Sequence, residues 1–244
     1  MQYFNSFNDV LYKFGDEAST VLTQDLSAYV SLIDDIKDDA STYEKGYIPE
    51  GMRPDQLSFQ LYGTTIYHWT FYLLNDELRL QGWPLTTTEL DETIKHEFSH
   101  TTLTTRADIT SKFKEGQTVS GSASGATGTI VHRVLDFGQI LLKDTVGTFR
   151  AGEAVTSVNS SAVTESIVIV SGEKEYNAAH HYISNSLSDT IVDIDPAIGP
   201  GQLVTEVTNY EWYTEENNKL RNIKVIRPNI INTLVSSYKQ ALKK

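Results

Sequence analysis

Residues 53–76 read RPDQLSFQLYGTTIYHWTFYLLND, and their punctuation decides the local architecture. Pro54 suits the first position of a helix, Leu57 and Leu61 lie four apart on one face, and Gly63 supplies a C-terminal stop. After a turn, Ile66, Trp69, Phe71, Leu73 and Leu74 predict a second, strongly apolar helix that ends near Asn75-Asp76. Gly82, Trp83 and Pro84 then break any helix and return the chain extended. The order predicted within 47–86 is strand, helix, helix, strand.

Working outward, TTTELDETIKHEFSH at 86–100 predicts a third helix with Thr87 or Thr88 as N-cap and one apolar stripe, Leu90, Ile94 and Phe98. Inside it, His96-Glu97-Phe98-Ser99-His100 spells H-E-x-x-H. On a helix this pattern places two imidazoles on one zinc ion, with the glutamate activating the metal-bound water. Measured from Ile94 at about 100° per residue, however, His96 and His100 point roughly 120–160° away from the stripe, toward water. The longer form of the motif fails at Leu103 and Arg106, and the β-branched run TTLTT ends the helix.

From about 112 to 172 the composition shifts to Gly, Ser, Thr and β-branched residues, which predicts an antiparallel β module. It repeats itself: Phe113-Lys114-Glu115-Gly116-Gln117-Thr118-Val119-Ser120 matches Phe149-Arg150-Ala151-Gly152-Glu153-Ala154-Val155-Thr156 thirty-six positions later. Two similar hairpin units closing into a small barrel or sandwich explain that spacing. Helical, aromatic sequence on both sides marks the module as an insertion. At the end of the chain, Pro228 opens an amphipathic helix carrying Ile230, Ile231, Leu234, Val235, Tyr238, Ala241 and Leu242, with Lys239, Lys243 and Lys244 toward its C-terminal dipole.

Composition bounds the function. The 244 residues are 39% hydrophobic and 10% aromatic, enough for a sizeable core, and no run approaches the length of a membrane span. The start lacks the basic and apolar regions of a secretory signal, and the absence of cysteine excludes disulfides and thiolate metal sites. Net charge is −12, unevenly placed: residues 1–55 carry four basic and eleven acidic side chains, whereas 219–244 carry seven basic and none acidic. An acidic body argues against nucleic acid as the main partner, and complementary ends suit protein–protein docking. Residues 1–43, with Tyr3, Phe4, Phe7, Tyr12 and Phe14 beside the acidic run SLIDDIKDDAS at 31–41, read as an extended arm.

Catalytic signals are thin. His180 and His181 are adjacent, so their side chains diverge and do not chelate together. Asp34, Asp35, Asp38 and Asp39 lack the spaced ligand loop of a calcium site. GSASGATG lacks the G-K-[ST] end of a phosphate loop, and no G-x-S-x-G or catalytic cysteine occurs. The chain is therefore expected to be no enzyme, with no catalytic residue, no cofactor and no metal.

The helix closing on LYG, the helix ending in LLN and the following GWPL resemble a LysM-type βααβ module. More specifically, RPDQLSFQLYGTTIYHWTFYLLND, the GW after it and the C-terminal NNKLRNIKVI leading into an apolar helix resemble the baseplate wedge protein fifty-three family of T-even-type contractile-tailed bacteriophages. The similarity covers roughly 43–95 and 205–244. The β module departs from it and resembles small inserted modules in tail proteins of related marine phages. Residue pattern and resemblance together predict an α+β fold in four parts: an acidic arm, 1–43; a LysM-like unit plus the following helix, 44–111; the inserted β module, 112–172, a small antiparallel barrel or sandwich; and strands and an amphipathic helix packing on the LysM-like body, 173–244. The resemblance further implies a structural subunit present in six copies per baseplate, contacting wedge-core proteins of two adjacent wedges, without catalysis, nucleic acid or membrane. Such a subunit resides in the virion tail and in the host cytoplasm during assembly. Candidate interaction residues are Tyr62, Trp69, Trp83, Arg221, Arg227, Ile230, Leu234 and Tyr238, the helix-spaced aromatics serving equally as core. Two rivals are a LysM-type peptidoglycan-binding module and, behind it, the zinc peptidase. For the β module, peripheral decoration and contact to a neighbouring tail protein both stand.

Overall fold

The computed structural model describes residues 8–13, 15, 19–25, 39, 41–186 and 190–241. Tyr3, Phe4, Phe7, Phe14, Asp34, Asp35, Asp38, Leu242, Lys243 and Lys244 lie outside the described residues. Helix and strand occur in similar shares, 29% and 33%, in an α+β chain. It divides into two compact units: one comprises residues 1–87 and 217–244, the other Thr88–Glu216. Residues 173–216 thus belong with the β module, and only 217–244 return to the helical unit.

In the first unit, β1 (Asp9–Tyr12) and β2 (Val21–Gln24) form a two-stranded ribbon, and β3 (Tyr43–Tyr47) leads into the helices. Helix α1 (Pro54–Tyr62) begins on Pro54, as expected, with Gln56 reaching back to the Arg53 N–H, and it stops at Gly63, whose φ of 71° suits glycine. A 3-10 turn at Thr65–Tyr67 precedes α2 (Trp69–Leu74), which buries Trp69, Phe71 and Leu74. Asn75 ends it, and α3 (Asp76–Gln81) follows. The expected return strand near 82–86 is not there. Instead β12 (Asn222–Ile226) pairs antiparallel with β3 from Tyr47↔Asn222 to Tyr43↔Ile226. Pro84 has no N–H to donate to a ladder, whereas NIKVI alternates and buries Ile223 and Val225. Gly46 is required opposite: a Cβ there would sit 2.8 Å from Val225 Cγ1. Finally α6 (Ile231–Ala241) lays Ile231, Val235 and Tyr238 onto Trp69, Leu74 and Ile226.

In the second unit, α4 (Thr87–Glu97, from Thr88 on) buries Leu90 and Ile94, two members of the expected stripe. Thr87, one of the two expected N-caps, is already its first helical residue, and the Glu50 carboxylate accepts from the Thr87 N–H. Next come β4 (Thr101–Thr105), β5 (Thr118–Gly121), β6 (Thr127–Val134), β7 (Gln139–Val146), β8 (Ala154–Val158) and β9 (Thr164–Lys174), closing a barrel in the order β4-β7-β6-β5-β8-β9. The module therefore spans 101–174 and not 112–172. Exchanging β5 with β8, β6 with β9 and β7 with β4 leaves this circular order unchanged, so the barrel is a permuted duplication. The hydrogen bonds repeat too. Gly116 N–H donates to Ile130 O at 2.9 Å and Gly152 N–H to Ile169 O at 2.9 Å, with Phe113 and Phe149 both buried. Strand β4 stands before the first repeat yet fills the place of the second repeat's last strand, and all five of its residues are buried. The unit ends with β10 (Ala179–Ser184) paired with β11 (Val204–Thr208), and α5 (Asn209–Lys219, to Glu216), whose start is a Thr208–Glu211 capping box.

Candidate functional site

The candidate interaction residues come together in the first unit, mainly as its interior. Trp69, Tyr238 and Arg221 are buried, and the Trp69 and Tyr238 rings lie 5.5 Å apart. Tyr62 is part-buried and donates to Ile226 O at 2.9 Å; burial of its ring raises the phenol's pKa. Trp83 Nε1 donates to Met52 O at 2.7 Å, and Arg221 donates to Leu85 O at 2.9 Å and Ile48 O at 3.5 Å. Ile230 and Leu234 pack partly buried on the α6 cluster. Of the eight, Arg227 alone is exposed, and its Nε donates to Tyr43 O at 3.2 Å. Burial in the chain's own core gives Trp69, Tyr238 and Arg221 a structural task.

These bonds join the two distant segments. Asn75 is the central link: its Nδ2 donates to Phe71 O at 2.8 Å and Lys224 O at 2.9 Å, and its Oδ1 accepts from Lys224 N–H at 2.8 Å. One side chain closes α2 and the outer edge of β12 together. Lys224 in turn holds its ammonium 4.6 Å from the Tyr43 ring centroid.

The surface of this unit carries large apolar residues, among them Ile66, which sits in the 3-10 turn before α2 and not on that helix as its spacing predicted. Leu80 is 80% exposed, and Phe59, Tyr47 and Ile66 are exposed as well. Phe59 was identifiable in principle, because it lies two residues from both Leu57 and Leu61, about 200° round the helix. Arg227 and Lys219 add positive charge.

The histidines resolve differently from each other. Helix α4 ends at Glu97, so His100 is not on it, and its Nδ1 lies 2.8 Å from Glu175 Oε2 while its N–H donates to the same oxygen at 3.1 Å. His96 and Glu97 are exposed. No group of three or more metal-ligating side chains occurs among the described residues. His180 and His181, expected to diverge, meet with their Nδ1 atoms 2.8 Å apart. A register shift between Ala179 and His181 interrupts strict alternation, as a β-bulge does. His180 also stacks on Trp212, with centroids 4.2 Å apart. Burial, and secondarily the His181 charge, lower its pKa.

A buried carboxylate in the barrel escaped sequence reading. Glu153 accepts from Arg150 N–H at 2.6 Å, Ser124 Oγ at 2.8 Å, Ser124 N–H at 2.9 Å and Ala123 N–H at 3.0 Å. Burial alone would raise its pKa, but the four donors hold it at about 2. It ties the GSASG turn to the second repeat, a structural duty. No protein-family model matches the chain, and no curated protein matches it.

Proposed function

We propose that the chain is a structural, non-enzymatic subunit of a contractile phage-tail baseplate that joins neighbouring wedges into the ring. Its partners are other wedge subunits, including wedge-core proteins of two adjacent wedges, with six copies per baseplate. We read β3, α1, α2 and β12 as a LysM-like βααβ frame carrying the C-terminal helix. One observation carries the reading: the two segments that hold the family resemblance, 43–95 and 205–244, lie far apart in sequence yet pair as β3 and β12 and share Asn75, Tyr62 and Trp69. An insertion of more than a hundred residues between the second helix and the closing strand explains why a LysM-like frame has its last strand at 222–226.

Peptidoglycan binding is the rival; against it, two of the large aromatics are engaged inside the unit, Trp69 buried and Trp83 bonded to Met52 O. The test is complementation. Phage lacking the chain should accumulate wedges that do not close, and resupplied wild-type chain should restore complete baseplates. Complete baseplates without the chain, or strong retention of the purified chain on cell wall, would overturn the assembly reading.

A further inference from the structure

The β3–β12 ribbon treats its two edges differently. Antiparallel pairing alternates bonded and outward-facing residues. Ile48 N–H donates to Arg221 O and Arg227 N–H to Thr42 O, so Tyr43, Lys45 and Tyr47 on one strand, and Asn222, Lys224 and Ile226 on the other, turn their backbone groups outward. On β12, Asn75 takes both groups of Lys224 and Tyr62 takes Ile226 O. On β3, Arg227 takes Tyr43 O, whereas the edge groups of Lys45 and Tyr47 bond nothing among the described residues. An open edge is a template for another strand.

The β1–β2 ribbon has the matching need. Asp25 N–H donates to Asn8 O, which by alternation leaves Leu11 and Leu22 with outward-facing N–H and C=O groups. Their side chains are 67% and 63% exposed, and Tyr12 and Val21 are exposed beside them. A lone two-stranded ribbon is marginal in water and gains most from a third strand. The ribbon is not hydrogen-bonded to β3 of its own chain: the two belong to separate sheets. Charge favours the pairing: residues 8–25 carry Asp9, Asp16, Glu17 and Asp25 against Lys13, while the open edge presents Lys45, with Lys224 directly opposite it and Arg227 bonded to Tyr43 O, and Glu44 alternates to the other face.

We propose that the β1–β2 ribbon of one copy adds to the open β3 edge of a second copy, head to tail. Each side of this contact is a different patch, so it continues from copy to copy, closing as a ring where the rotation per copy allows. The inference goes beyond the assembly reading and rests on strand edges and charge; its failure leaves that reading standing.

The chain has no cysteine, which makes the test clean. Full-length Leu22→Cys and Lys45→Cys variants, one carrying a mass tag, are mixed and oxidised at low and high salt. The expected result is a disulfide-linked heterodimer at about fivefold or more the yield of Leu22→Cys mixed with the exposed control Ser237→Cys, falling as salt screens the contact. Yield equal to the control overturns the proposal, as does a double Leu22→Cys/Lys45→Cys variant that closes within one chain. Amide exchange on the wild type needs no variant: Lys45 and Tyr47 N–H groups should slow as protein concentration rises, and concentration-independent exchange refutes the pairing.

Discussion

Replacing Glu153 by Gln tests the barrel at its most heavily bonded side chain. The carboxylate is 6% exposed and takes four donors, two on each oxygen. Glutamine keeps the shape and one acceptor oxygen, but its NH2 group faces either the Ala123 and Ser124 N–H groups or the Arg150 N–H and the Ser124 hydroxyl, so two of the four bonds to the carboxylate are lost in either orientation. Losing two charge-assisted bonds at about 1.5–3 kcal/mol each predicts a loss of about 3–6 kcal/mol. For a body of this size that corresponds to a melting temperature lower by about 10 °C or more, read by calorimetry at neutral pH. The sign with pH follows from linkage. A carboxylate held at about 2, against an ordinary 4.5, stabilises the fold above pH 4.5 and loses that contribution as pH falls toward 2. The gap between wild type and variant should therefore narrow by about 1–2 kcal/mol between pH 7 and pH 3. A gap below about 1 kcal/mol at pH 7, or one that does not change with pH, refutes this account of Glu153.

Three further outcomes follow from particular contacts. Asn75→Ala strips partners from Phe71 O and both backbone groups of Lys224, and should cost the first unit about 1–3 kcal/mol in urea denaturation. In an NMR titration, His180 should gain its proton below the usual histidine range, and His181→Ala should move that titration upward; no movement would mean that the His181 charge is unimportant. Dialysed full-length protein should retain no equimolar zinc by elemental analysis, because His100 is bonded to Glu175 and lies beyond the end of α4.

Much of the local structure was legible because it rests on single residues with strong preferences. Pro54 and Gly63 bound α1, and Leu90 and Ile94 are buried as their spacing requires. The thirty-six-residue repeat shows as two like turns at Gly116 and Gly152. What periodicity missed depends on partners distant in sequence. TTLTT reads as a helix exit, yet it completes the barrel only because β7 and β9 flank it. NIKVI gives no hint that its partner is YEKGY, some 180 residues earlier. The bulge that turns His180 toward His181 leaves no mark in composition, and Glu153 looks like any charged turn residue until the Ser124 turn folds over it. The start of α5 was readable and missed: Thr208 and Glu211 stand at capping-box spacing. Trp69 and Tyr238 lie in the core for a plain reason: large aromatics at helical spacing are what a small unit buries first.

The central claim is membership of a tail baseplate, and quantitative mass spectrometry of purified tails tests it most directly. The account predicts the chain in every preparation at a fixed ratio to the wedge-core proteins, matching six copies per baseplate. Tails that are complete and infectious but contain none of it would contradict the account.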